Sequence, residues 1–160
     1  MNSLKGFTLV ELIIVVAVIG ILVAIAYPFL ARARMTTNET GAIGTLKTLR
    51  TEQIHFSTSR YVDADSDGVG DFGTLEMLTN TSSGLNLGST TLDSLADGNE
   101  HGYEFVIDIN IAGQGYERYK IVASPVSYGR TGVRSFRMDE SGLIRMTTQD
   151  RPPEVWDPPL

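Results

Sequence analysis

The chain is 160 residues long, with 19 acidic residues against 13 basic ones and a net charge of −6. That length suits one domain with an extension, and the acidic balance argues against broad nonspecific binding of nucleic acid. There is no cysteine, which excludes a disulfide framework and a thiol nucleophile. The patterns GxSxG, GxxxxGKS/T and HExxH are missing as well, so the best-marked routes to hydrolase, phosphate-binding and zinc-protease chemistry are closed, and no enzyme is expected.

The first predicted element is the most informative. Leu12 to Ala31 is a run of twenty uncharged residues, long enough to span a bilayer as a helix. Glu11 stands at its amino-terminal edge. A carboxylate at the border of hydrocarbon is costly unless partnered, so it is a functional candidate. Its natural partner is an amine: a cut between Gly6 and Phe7 would give Phe7 a new α-amino group, one helical turn from Glu11. Two plainer readings are a secretory signal peptide, with Ala24-Ile25-Ala26 as the processing site, and a simple signal anchor. The first has too long an apolar run, and the second leaves Glu11 without a reason. Lys5 with the starting amine on one side and Arg32 with Arg34 on the other leave the charge rule for orientation undecided.

Lys5-Gly6 followed by Phe7-Thr8-Leu9-Val10-Glu11 and the apolar run, with Gly20 and Pro28 inside it, resembles the amino terminus of type IV pilins and of the pseudopilins of type II secretion. The resemblance is close over about the first thirty residues. It implies a prepilin leader, residues 1–6, removed after Gly6 by a prepilin peptidase that also methylates the Phe7 amine. It further implies a single-pass inner-membrane precursor with its head outside the cytoplasm, handled by an inner-membrane assembly platform. The product would be a homopolymeric or mixed pilin filament, either a periplasmic pseudopilus or a cell-surface pilus, held together by pairing of Phe7 and Glu11 between subunits. Many major pilins close their carboxyl-terminal region with a disulfide; its absence here leans toward a pseudopilin or a disulfide-free pilin.

Residues 7–31 are therefore read as a transmembrane and filament-core helix, with Gly20 and Pro28 as the kink and a stretch that can melt on extraction. Residues 32–58 continue as an amphipathic stalk. Ile43, Leu46, Leu49 and Phe56 share a face, with Ala42, Gln53 and Ile54 beside it. Arg32, Arg34, Lys47, Arg50 and Glu52 are assigned to solvated or subunit-facing sides, and Gly41 and Gly44 to close packing or tolerance. The whole helix, Phe7 to about Ser57, would be roughly 75 Å long at 1.5 Å per residue. A domain this small cannot bury such a rod, so its first half must find lipid or other subunits.

An acidic loop region, 59–101, follows. Between Val62 and Glu117 there are eleven acidic residues and no Lys or Arg. Asp63, Asp65, Asp67, the Val69 carbonyl and Asp71 follow the spacing of a calcium loop, with Gly68 at the turn. Position 12 is Thr74 rather than Glu, so the loop lacks the full helix–loop–helix form. Ca²⁺ is the expected cofactor, set against a solvated Asp/Gly turn. A short helix is expected at 74–78 and an irregular excursion over 79–99. His55 and His101 are read as surface residues.

The head, 102–148, reads as two hairpins: 103–109 with 116–123, and 134–138 with 143–146. Together they suggest an antiparallel sheet of three or four strands packed on the stalk. Tyr103, Phe105, Ile107, Tyr119, Ile121, Phe136 and Ile144 are the expected core. The tail, 149–160, is proline-rich and extended, and Trp156 is left open between an anchor and part of a loose end. The fold class is thus α+β: one long amino-terminal helix on a small antiparallel sheet. The expected function is a filament subunit; the alternative is a membrane-anchored, extracytoplasmic calcium-binding module that does not polymerise.

Overall fold

The structure, a computed structural model, describes residues 6–64, 66, 68–79, 90–112 and 115–160, with backbone alone at 90, 91, 93, 110–112 and 115–117. It divides into two compact units, residues 1–34 and 35–160. Helix α1, Leu9–Thr58, contributes to both and runs through Pro28. Its side chains in the first unit are exposed apart from the half-buried Ala31.

In the second unit α1 buries Glu39, Ala42, Leu46, Leu49, Gln53 and Phe56, with Thr45 beside them. The steps between these six alternate between three and four residues, which keeps them on one stripe of the helix. The stripe packs in a core with Phe105, Ile121, Phe136 and Met138 of the sheet. Ile43 is only partly buried and Ile54 is 46% exposed, so Ile54 does not join the packed face. Arg50 departs from its solvated assignment: it is half-buried, its Nε closed off from solvent. Gly41 is a close-packing position, since a Cβ there would lie 2.7 Å from the His101 ring, whereas Gly44 faces open space.

The sheet has five strands in sequential antiparallel order: β1 (Asn99–Glu100), β2 (Tyr103–Ala112), β3 (Gly115–Pro125), β4 (Ser135–Asp139) and β5 (Ile144–Thr147). The two expected hairpins are present, with Ile107 opposite Ile121 and Met138 opposite Ile144. The β2–β3 turn at Gly113 and Gln114 lies outside the described residues. Period-two alternation sends Tyr103 and Phe105, Tyr119 and Ile121, Phe136 and Met138 into the core. Of the seven expected core residues only Ile107 stays partly exposed. Strand β1 is an addition to the expected three or four, too short to carry a period.

The 79–99 excursion is corrected in its second half. Thr90–Leu95 is a turn of 3₁₀ helix that buries Leu92 and Leu95; residues 80–89 lie outside the described residues. Helix α2, Leu75–Leu78, has Thr74 as its N-cap, the hydroxyl accepting from the Met77 N–H. This accounts for Thr at the position where a calcium loop ends in Glu: the residue starts a helix.

The tail is neither loose nor free. The Leu160 N–H donates to the Ile144 carbonyl at 2.9 Å and the Met146 N–H to the Pro158 carbonyl at 3.0 Å. The chain end thus lies along the outer edge of β5 and occupies backbone groups that an open edge would leave unpaired.

Candidate assembly site

In the first unit, the side chains from Phe7 to Leu30 include large apolar residues such as Leu9 (72% exposed) and Phe29 (68%). Among the described residues this is the one helix long and apolar enough to cross a membrane. A continuous apolar surface of this kind marks contact with lipid or with other proteins.

Gly6 and Phe7 precede the helix and are exposed. Glu11 sits in the first turn, held by Thr8 through a reciprocal arrangement. The Thr8 N–H donates to Glu11 Oε2 at 2.9 Å and the Thr8 hydroxyl to the same oxygen at 2.8 Å. In return the Glu11 N–H donates to Thr8 Oγ1 at 3.2 Å. This is a capping box, Thr at N-cap and Glu at N3, in which each residue satisfies a backbone donor of the other. The sequence carries its signal, Thr-x-x-Glu ahead of an apolar run.

Of the calcium-loop residues, Asp65 and Asp67 lie outside the described residues. Asp63 accepts from the Gly68 N–H at 3.2 Å through Oδ2. Its Oδ1 is buried without a hydrogen-bond partner among the described residues. Asp71 is buried, and its Oδ2 accepts from the Ala64 N–H at 2.7 Å. Val69 is 64% exposed. The loop is fastened to the stalk at its far end by Gln53, whose amide nitrogen donates to the Gly73 carbonyl at 2.6 Å and whose oxygen accepts from the Gly73 N–H at 2.9 Å. Among the described residues no three metal-ligating side chains gather into a cluster.

A second fastening had not been expected. Glu39, buried on the stalk, accepts from Arg134 Nε at 2.8 Å, pairs with Arg134 Nη2 at 2.7 Å, and accepts from the Val133 N–H at 3.0 Å. Asn38 donates to the Thr131 carbonyl at 2.9 Å. The Tyr103 hydroxyl donates to the Arg134 carbonyl at 2.7 Å; burial, then the Glu39 charge, hold this phenol well above its usual range. Gly132 is required beside it, since any Cβ there would overlap the Tyr103 ring. The signal was present in the sequence: Glu39 lies three residues before Ala42 and seven before Leu46, on the packed stripe.

The chain thus joins a long exposed apolar helix in sequence to an α+β head. The family described as the prokaryotic N-terminal methylation motif matches residues 1–27. The chain is 40% identical over 99 residues to a fimbrial protein of Moraxella nonliquefaciens, covering 53% of this chain and 63% of that protein. It is 42% identical over 69 residues to the type IV major pilin protein PilA of Myxococcus xanthus, covering 43% of this chain and 30% of that one. Over 28 residues it is 71% identical to fimbrial protein Q of Moraxella bovis, 18% of either chain. The chain thus spans less than two thirds of the length of each of these relatives, and no solved structure matches it. Residues 1–27 carry that family's amino-terminal motif, and part of the chain is similar to fimbrial proteins and type IV pilins.

Proposed function

We propose that this protein is the structural subunit of a type IV pilus-like filament. The exposed apolar surface of α1, with one carboxylate at its start, carries the reading. Such a surface needs lipid before assembly and other copies of itself afterwards. In this scheme a prepilin peptidase cuts after Gly6 and methylates the Phe7 amine. An assembly platform then lifts the subunit from the inner membrane. Glu11 of an arriving subunit is drawn to the positive Phe7 terminus of one already in place, an attraction that is strong where the dielectric is low. The names of the relatives favour a pilus over a secretion pseudopilus.

Electron microscopy of material sheared from cells, with amino-terminal sequencing of the subunit, tests the scheme. The expected result is filaments whose subunit begins at N-methylated Phe7. Glu11→Ala should give a cleaved protein that stays in the membrane fraction. Normal filaments from that variant would refute the pairing, and a mature subunit that keeps residues 1–6 would remove the processing step.

Within this reading we propose that the loop around Asp63 takes up Ca²⁺ through carboxylates spaced as in a calcium loop. Support comes from Asp63 Oδ1, a buried oxygen that wants a cation or a donor. Calcium should raise the head's melting temperature, and chelation should reverse this. Asp63→Asn should weaken the effect. An identical melting curve with calcium and with chelator would exclude the site.

A further inference from the structure

We infer that the outer face of the sheet carries a binding site for a small hydroxylated organic acid, with the Arg137 guanidinium as the group that takes its carboxylate. The inference concerns the head alone and does not rest on the filament reading.

Residues of β2 to β5 that alternate with the core positions fall on the opposite face of the sheet. The strand register sets them in rows. Val106, Val122, Arg137 and Arg145 lie side by side across the four strands, and Asp108, Lys120 and Asp139 form the next row. A cleft of about 670 Å³ opens over this part of the sheet, with Arg137 in its wall and Val155 reaching it from the tail.

The other charges of the cleft are already engaged. Lys120 Nζ lies 2.9 Å from Asp108 Oδ2, and Arg118 Nε lies 3.8 Å from Glu140 Oε1. Asp139 Oδ1 accepts from the Ser141 N–H at 3.1 Å and from the Ser141 hydroxyl. Arg137 is different: it has neither an ion pair nor a side-chain hydrogen bond among the described residues. Its Nε is closed off from solvent, so the charge is partly desolvated and the head of the side chain is held in place. Directly across β4 and β5 stands a second cation, Arg145. Like charges opposite each other on one face destabilise a sheet, and an anion on Arg137 relieves that repulsion.

A guanidinium fork fits carboxylate and phosphate equally well, and the cleft decides between them. Asp108, Asp139 and Glu140 also line it, so a second negative charge on the ligand would be repelled. Their oxygens have lone pairs left to accept from hydroxyl groups. A singly charged acid bearing hydroxyls satisfies both conditions.

The Arg137 Nε–H resonance of the full chain in detergent micelles reads the site directly. Sodium gluconate should move it to saturation. Sorbitol, which has the hydroxyls without the carboxylate, should leave it in place. Propionate, which has the carboxylate without hydroxyls, should bind about tenfold more weakly than gluconate. Arg137→Gln should weaken gluconate binding by about tenfold, read from the rise in melting temperature that gluconate produces. Arg130→Gln, on the exposed β3–β4 loop, should leave that rise unchanged. The wild-type titration decides even where Arg137→Gln does not fold. A shift that grows linearly with gluconate and is matched by sodium chloride is charge screening, and it would overturn the site. Undiminished gluconate binding by a folded Arg137→Gln protein would take Arg137 out of it. Inorganic phosphate or propionate binding more tightly than gluconate would overturn the class of ligand.

Discussion

Glu39 shows how one side chain decides the seating of a loop. A carboxylate inside a packed stripe is costly, and this one is tolerated because it is paired and hydrogen-bonded: Arg134 grips Oε2 and the Val133 amide takes Oε1. Arg134 in turn lies over the Phe136 ring at 5.7 Å, and its carbonyl takes the Tyr103 hydroxyl. Removing one partner leaves a charge stranded among Tyr103, Phe136 and the stalk. Glu39→Ala should destabilise the head by about 3 kcal/mol, read from the urea midpoint of the full chain in detergent. Replacing Glu39 and Arg134 together with Leu should recover most of that loss, because no charge is then left unpaired. A single variant as stable as the wild type would show that the pair contributes nothing. In the sequence Glu39 is visible as a stripe position but its partner is not: Arg134 lies 95 residues away, and only the register of β4 against the stalk brings the two together.

At the scale of elements, the tail depends on a small closed loop. Arg151 donates from Nη1 and Nη2 to the two Asp157 carboxylate oxygens, each at 2.7 Å, and the Glu154 N–H adds a third bond at 2.6 Å. The Arg151 bonds, with that amide, hold the Asp157 carboxyl down at about 2, against an ordinary value of 3.8. A group whose folded value is depressed contributes stability above its unfolded value and loses it as pH falls toward the folded one. The tail should therefore hold at neutral pH and release from β5 between about pH 4 and pH 2, read as a fall in Trp156 fluorescence anisotropy. Asp157→Asn should show the low anisotropy at neutral pH with no further acid step. An unchanged acid transition in that variant would assign the release to another group. Prolines told of an extended tail, but nothing in their pattern says that Arg151 and Asp157 close on each other. That pairing depends on the turn between them. The hairpins were legible because alternation and glycine-containing turns are local signals, whereas β1 and the Thr90–Leu95 turn were not, because two-residue strands and single 3₁₀ turns have no period to read.

The whole molecule separates its apolar surface into two kinds. Residues 1–34 hold the exposed apolar run, while residues 35–160 have a core of their own that includes Leu46, Leu49, Tyr103, Ile121 and Phe136. Each fastening of the head also lies within that second unit: Glu39 with Arg134, Gln53 with Gly73, Thr45 with Glu100 at 2.6 Å, and Arg151 with Asp157. A protein beginning at Met35 should therefore fold, with the near-ultraviolet dichroism of the full chain. It should also elute as a monomer, because the surface that calls for lipid or for other copies has been removed. Assembly would then belong to the first 34 residues and stability to the rest. A Met35 protein that folds but still forms filaments would place the assembly surface on the head, against the proposed role of Glu11. One that does not fold would mean that the first half of α1 supports the core, and its exposed residues would need a partner inside the subunit.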